Sequence, residues 1–421
     1  MICLGRECGM STPDLKHLFT PGTGAVPPYL AGRKREQEYF RDCVEVLKGR
    51  NSVSRDLILY GPRGNGKTAL LRYLQKETHQ QEASNLSVLW ATPKELANPG
   101  KLVDLIIGDY SMLRSKVQSA GFSINFGIVT ADTQIDLSRR TLTLGDLLQA
   151  RCQHQPLILM IDEAHRLGPQ MGEELLNASQ SVRNAGNPFL LVLAGTPNLR
   201  ATLGQANASF WDRSEIVRLG RLSPEETQQA LTIPLQEAGI TFAPGVIEHI
   251  VEQTHCYPFF TQVWGNCIAQ RLQQTGEQMI FMETVKTVQV AVTDKYNAMY
   301  QVRRNEINDM GLLSVAESVA EAFVQGGEAH LYERGLNEAI AQGMADEGLI
   351  TDQSIREKLK QLSHLGYVWQ SKEGGYEPGI PSLLSYVISQ AQLHHKPRPS
   401  VTEQVEQWRV KPKAHDTDME M

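Results

Sequence analysis

Gly61-Pro62-Arg63-Gly64-Asn65-Gly66-Lys67-Thr68 matches the phosphate-binding pattern G-x-x-x-x-G-K-[ST] at every fixed position. Its flanks fit the same reading. Asp56-Leu57-Ile58-Leu59-Tyr60 is the apolar run of a short buried strand, and Ala69-Leu70-Leu71-Arg72-Tyr73-Leu74 continues as a helix. Glycines let successive backbone N–H groups turn inward around phosphate oxygens, at the positive end of the helix dipole. In such a loop Lys67 reaches the β- and γ-phosphates, and the Thr68 hydroxyl binds Mg²⁺. The octapeptide therefore implies a nucleoside-triphosphate site, and this outweighs the bland alternative of a Gly-rich turn.

Two further strands read outward from this loop. Leu157-Ile158-Leu159-Met160-Ile161 is wholly apolar and ends in Asp162-Glu163, 95 positions beyond Lys67. A carboxylate at the carboxyl end of such a strand can hold the Mg²⁺ that bridges the phosphates, which is the role expected of Asp162. Glu163 beside it is the expected general base, orienting the water that attacks the γ-phosphorus. His165 reads as a solvated histidine at a helix start, with contact to a neighbouring loop as the lesser alternative. Phe189-Leu190-Leu191-Val192-Leu193-Ala194-Gly195 is the next strand, followed by Thr196-Pro197-Asn198. If the two strands are sheet neighbours, Thr196 or Asn198 lies beside the γ-phosphate; for Asn198 plain turn chemistry is as good a reading. Arg213 lies between the last core strands, placed to reach the γ-phosphate of a neighbouring subunit rather than its own. A structural pairing with Asp212 or Glu215 is the competing reading. Strands alternating with helical stretches predict an α/β fold, a parallel sheet with helices on both faces.

Composition sets the bounds. The chain has 421 residues, 41% hydrophobic and 21% charged, with a formal net charge of −6, which is a soluble globular profile for two or three domains. That charge excludes neither nucleic acid nor protein as partner. Six cysteines are scattered without a CxxC pair, which predicts reduced thiols; Cys3 and Cys8 could open a metal site, but no second pair or His cluster follows. No signal pattern and no membrane-length apolar run is present, so a cytoplasmic location without membrane contact is expected.

Residues 1–25 read as an extended N-terminal arm, rich in Pro and Gly towards position 28. Residues 26–222 form the nucleotide-binding core, with helical periodicity from Glu36 to Leu47 and a hairpin insertion read between Phe122 and Leu144. Ser223-Pro224-Glu225-Glu226 is a helix start with a capping box, opening a helical lid over 223–300 without strand signal. Residues 301–390 read as helices Val315–Val324, Tyr332–Met344 and Ser354–Leu365, then a hairpin through Tyr367-Val368-Trp369 and Tyr376-Glu377-Pro378, the order of a winged helix. Residues 391–421 read as a disordered tail.

The phosphate loop, the Asp-Glu pair, a polar strand end, a downstream arginine, a helical lid and a terminal winged helix, in this order, resemble the AAA+ ATPases. The resemblance covers roughly residues 26–390 and is nearest to the branch of archaeal and eukaryotic replication initiators and related bacterial ATPases. It implies ATP as ligand and ATP hydrolysis, slow and switch-like because the lid departs from the family pattern. In it Ala31-Gly32-Arg33-Lys34-Arg35-Glu36 helps enclose the adenine, Lys67 and Thr68 belong to the first nucleotide motif, and Asp162 and Glu163 to the second. Thr196 corresponds to the first sensor and Arg213 to the arginine finger. The lid departs from the pattern: Thr254-His255-Cys256-Tyr257-Pro258 is closer to the Gly-x-Pro element of the signal-transduction (STAND) ATPases, with Cys256 where Gly is usual. Pro258 then packs on the base and no lid arginine meets the γ-phosphate, Arg271 being a possible substitute about three turns further on.

Two partner classes follow. Arg356, Lys358, Lys360, Gln361 and His364 on the third helix, with Lys372 in the wing, could neutralise the phosphates of double-stranded DNA. Asp352, Glu357, Glu373 and Glu377 interrupt that stripe, so a protein partner with a structural winged helix stays open. Tyr367, Trp369 and Tyr376 read as core rather than as stacking platforms. A homo-oligomer formed on ATP binding is the assembly that the resemblance implies.

Overall fold

The computed structural model describes residues 14–80, 85–96, 99–108, 110, 143–204, 208–325, 331–346, 349–370 and 375–394. Five strands, β1 (Asp56–Tyr60), β2 (Ser87–Ala91), β3 (Leu157–Ile161), β4 (Phe189–Gly195) and β5 (Ser214–Arg218), form one parallel sheet in the order β2-β3-β4-β1-β5. Successive side chains of a strand point to opposite faces. Leu57, Leu59, Ile158, Met160, Leu190 and Val192 therefore pack with helices α1 (Lys34–Lys48) and α2 (Lys67–Gln80). Ile58, Leu159, Ile161, Leu191 and Leu193 pack on the other side with α3 (Pro99–Ile107), α4 (Leu144–His154) and α5 (Pro169–Asn184). Both faces are covered, which is why these strands are continuous apolar runs rather than alternating ones. Truncating Leu59 or Ile158 to alanine costs about 2–5 kcal/mol. The α/β layering expected from the sequence is the observed one.

The next region is mostly helical. It comprises α6 (Pro224–Glu237), α7 (Val246–Gln253), α8 (Pro258–Thr275) and α9 (Met282–Asp309) around Leu231, Leu235, Trp264, Ile268 and Val285. Ser223 and Glu226 form the capping box read from the sequence, with the Glu226 N–H donating to Ser223 Oγ at 3.1 Å. A two-residue parallel pair, β6 (Thr241–Phe242) with β7 (Met279–Ile280), joins the helices. The sequence reading had no strand here, because two residues carry no periodicity.

The N-terminal stretch departs from a free arm. Among its described residues the backbone is irregular, as the Pro and Gly content implies, yet Leu15 and Phe19 are 3% and 1% exposed in the helical core. Phe19 packs on Gly265, where an added Cβ would run into its ring, and Asn266 Nδ2 donates to the Phe19 carbonyl at 2.8 Å.

Helix α9 runs 28 residues through position 300, where the sequence reading divided lid from C-terminal module. Beyond it come α10 (Leu313–Gln325), α11 (Glu333–Gly343), α12 (Asp352–His364), an antiparallel hairpin of β8 (Val368–Gln370) and β9 (Tyr376–Pro378), and α13 (Pro381–His394). The three helices and hairpin follow the expected order. Helix α13 closes their core with Leu383, Leu384 and Val387, and its last four residues lie in the span read as tail. Cys3, Cys8, most of the stretch expected as a hairpin insertion, Lys372 and Glu373 of the expected wing, and the expected tail beyond His394 lie outside the described residues.

Candidate functional site

All five strands of the parallel sheet end on one edge, and their carboxyl ends bring the motif residues together. β1 feeds the phosphate loop and α2, β3 ends at Asp162-Glu163, and β4, hydrogen-bonded between them, ends at Thr196. The condition set for Thr196, that its strand neighbour the Asp162 strand, is met. A cavity of about 440 Å³ opens over this edge, lined by the loop, by Asp162, Glu163 and Thr196, and by Pro258 and Phe259 from α8. That volume suits one small organic ligand.

The loop is held from outside. Gly64 and Gly66 take φ of +85° and +81°, the left-handed region that turns N–H groups inward. Asn65 Nδ2 donates to the Leu219 carbonyl at 3.1 Å, and buried Arg33 donates through Nη2 to the Asn65 and Gly220 carbonyls at 3.3 and 2.9 Å. The stretch before the loop thus braces it against the segment after β5, while Leu30 and Ala31 contribute to the cavity wall. Tyr257, just before Pro258, donates its hydroxyl to the Arg63 carbonyl, tying the loop to α8.

Lys67 Nζ donates to its own loop's Gly61 and Pro62 carbonyls at 2.7 and 2.6 Å, which leaves one of its three donors. Burial pulls this ammonium down to about 7, opposed by Asp162 and reinforced by Arg63 and Arg33. Thr68 Oγ1 donates to Asp162 Oδ2 at 2.8 Å. Hydroxyl and carboxylate are hard oxygen donors of the kind Mg²⁺ takes. Among the described residues no cluster of three or more His, Cys, Asp or Glu could hold a metal with protein ligands alone. The pair fits an ion that keeps water and phosphate as its other ligands.

Glu163 has φ +52° and is exposed; its carboxylate meets Arg166 Nη1 at 3.0 Å, and its N–H donates to Asp162 Oδ1 at 2.9 Å. Thr196 is 3% exposed and its Oγ1 has no hydrogen-bond partner, while its N–H donates to His165 Nδ1 at 3.3 Å. His165 is therefore the lesser of the two sequence alternatives, half-buried against the next strand's end rather than solvated, because β3 and β4 are neighbours. With Nδ1 accepting, the proton of the neutral ring sits on Nε2, which is buried without a partner. Burial, with Arg63, Lys67 and Arg166 nearby, holds this imidazole down to about 4. Asn198 starts the next turn, its carbonyl accepting from the Thr202 N–H at 3.0 Å. Pro258 is the first residue of α8 and faces the cavity.

Arg213 stands apart. It is exposed, is not among the cavity-lining residues, and makes no ion pair among the described residues. Glu215, one of its expected partners, faces Arg35 and Arg55 instead, at 4.0 and 3.7 Å. Arg271 does not line the cavity either. The arginine that does come from the helical side is Arg303 of α9, which the sequence reading did not single out. Its i,i+3 pairing with Glu306 was readable, but nothing local says that this turn of α9 faces the cavity.

At the far module, Arg356 and Lys360 on α12 are exposed. Tyr367 is buried and donates its hydroxyl to the Ala316 carbonyl at 2.8 Å. Trp369 is 6% exposed under the Arg218 guanidinium, 3.8 Å from its ring centroid, so the hairpin packs on β5. Tyr367 and Trp369 are core, as read, while Tyr376 is half-buried against it.

With this geometry in place, comparison with known proteins is informative about class. Residues 52–203, from just before β1 to just after β4, match the family model described as an AAA domain. The fold as a whole is the α/β AAA+ fold. A Walker-type ATPase of Pyrococcus abyssi superimposes with a TM-score of 0.53 over 86% of this chain and 96% of its own, at 17% identity. The ORC2 protein of Aeropyrum pernix, solved as ADPNP-ADP complexes, superimposes with a TM-score of 0.51 over 90% of this chain and all of its own, at 16% identity. At these identities the likeness is one of fold. No curated protein matches the chain's sequence. No helix among the described residues is long and apolar enough to cross a membrane.

Proposed function

We propose that this chain binds ATP at the carboxyl edge of its sheet and hydrolyses it slowly to ADP and phosphate, as a nucleotide-dependent switch acting on DNA or a DNA-bound complex. The observation that carries the reading is the convergence of Lys67, Thr68, Asp162, Glu163 and Thr196 on one cavity from three adjacent strands. The N–H groups of residues 63–68 cradle the phosphates, and Lys67 shifts from its loop carbonyls to the phosphate oxygens. That shift is supported by the burial that makes its charge costly without an anion. Thr68 and Asp162 would hold Mg²⁺, which would neutralise charge on the phosphates. Glu163 turns from Arg166 to orient the attacking water and takes its proton. The orphaned Thr196 hydroxyl, in reach of the same end of the cavity, reports the γ-phosphate. Arg213, exposed and unpaired, acts in trans on a neighbouring copy in an ATP-dependent homo-oligomer. We divide the chain into a core of residues 26–222, a lid of 223–300 and a winged helix of 301–390, with α9 as the rigid link between the last two.

A second reading, a STAND-like scaffold recognising a protein partner, is favoured by two observations. Cys256 adopts φ +56°, as expected where the Gly-x-Pro element has its glycine, and Pro258 lines the cavity. The hairpin that would serve as a wing is packed against β5 through Trp369 and Arg218. Titration of duplex DNA at two salt concentrations, with and without ATP, separates the two. Binding with a steep salt slope that responds to ATP supports the DNA reading, and no binding at low salt in either state supports the scaffold.

A further inference from the structure

The carboxylate of Glu306 bridges two arginines at the phosphate end of the cavity. Its Oε1 lies 3.3 Å from Arg63 Nη1 in the phosphate loop, and its Oε2 lies 2.6 Å from Arg303 Nη1 one turn earlier on α9. Both arginines line the main cavity; Glu306 does not. It lies behind them, with Arg63 and Arg303, in a small second pocket walled by Gly366, Tyr367 and Leu383 of the C-terminal module. Ile380, at the foot of α13, lines both spaces. Arg63 and Arg303 share the cavity wall with Lys67, Glu163, His165 and Thr196. Arg303 has a further donor, Nε, that is buried without a partner.

We infer that Glu306 is a resident anion that competes with a terminal phosphate for Arg303, and so lowers the preference for triphosphate over diphosphate. This rests on the ATP reading above and adds to it how the third phosphate is sensed. A guanidinium offers a planar fork to one anion at a time in its best geometry, so carboxylate and phosphate compete for the same donors. A γ-phosphate, with more charge and more acceptor oxygens, takes Arg303 and loosens the bridge to the loop. A diphosphate ends short of these groups and leaves Glu306 in place. Because Glu306 is on α9 and its back faces the C-terminal module, the exchange transmits the nucleotide state from loop to module without a lid arginine on α8.

The test measures the affinity of the full chain for ATP and for ADP, each with Mg²⁺, in the parent protein, in Glu306→Gln, in Arg303→Met and in the Glu306→Gln/Arg303→Met double variant. Glu306→Gln keeps shape and hydrogen-bonding and removes the competing charge. It is expected to tighten ATP about tenfold and ADP twofold or less. Arg303→Met is expected to remove most of the preference for ATP, and in the double variant the Glu306 effect on the ATP:ADP ratio disappears. An equal gain for both nucleotides, or a ratio change that survives in the double variant, overturns the inference, since either is what a general change of local charge gives. Parent protein that binds neither nucleotide overturns the ATP reading itself, a result distinct from both.

Discussion

The two edges of the central sheet treat their buried polar groups differently, although the amino edge also keeps one buried donor without a partner, Arg183 Nε. At the amino edge, Asp56 opens β1 with no solvent exposure, and every contact it makes is supplied by the protein. Arg183 Nη2 lies 3.1 Å away, Ser179 Oγ donates at 2.7 Å and the Leu191 N–H at 3.0 Å. Burial still raises its pKa, against the pull of Arg183. At the carboxyl edge, Asn65 Oδ1, His165 Nε2 and Thr196 Oγ1 are buried without partners, and burial holds Lys67 below its ordinary pKa. A satisfied network rigidifies a fold, and an unsatisfied one is a standing cost that a ligand can remove. The same sheet is thus an anchor at one edge and a receptor at the other.

The contrast can be broken by substitution. The largest effect is expected at the amino edge: Arg183→Met strands the Asp56 charge and costs about 3–5 kcal/mol in urea unfolding, with nucleotide affinity per folded molecule unchanged. Next, Lys67→Ala is expected to weaken ATP binding by at least about a hundredfold, roughly 3 kcal/mol, while the unfolding midpoint without nucleotide stays level or rises. Loss of stability in that variant comparable to Arg183→Met would erase the distinction between the edges. Thr196→Val removes an orphaned hydroxyl, so stability should change by less than about 0.5 kcal/mol while ATP turnover falls about tenfold or more.

A pH titration sharpens the same point. His165 is held down to about 4, below its ordinary 6.5, so between those values the unfolded chain binds more protons than the folded one. Stability from this group is full above about 6.5 and is lost as pH falls towards 4. His165→Asn, which keeps an acceptor for the Thr196 N–H, should show a shallower loss over that window in parallel unfolding curves. The smallest effect is expected at Cys256, whose left-handed φ of +56° a glycine adopts freely; Cys256→Gly should stabilise by no more than about 1 kcal/mol.

What could be read in advance was what short-range chemistry determines. The loop, the strand ends at Asp162 and Thr196, and the capping box at Ser223 each lie within a few residues of their own cause, and the strands' apolar runs show burial on both faces. The sheet order, which makes β3 and β4 neighbours and so joins His165 to Thr196, is a tertiary fact. So is the path of α9, which delivers Arg303 and Glu306 from more than 230 positions beyond Lys67. Leu15 and Phe19 were hidden by the Pro and Gly around them, which describe the backbone correctly and say nothing of where its apolar side chains go. Helix α13 was legible from Leu383, Leu384 and Val387 at helical spacing, and was overlooked beside a polar tail.

The central claim, that the carboxyl edge is a hydrolytic ATP site with Glu163 as its base, is tested most directly by Glu163→Gln. Bound nucleotide and phosphate release are measured in the same sample beside the parent protein. The account predicts slow turnover in the parent, and in Glu163→Gln retained ATP with turnover lower by about 10²–10⁴-fold. Hydrolysis by Glu163→Gln at the parent rate would contradict it.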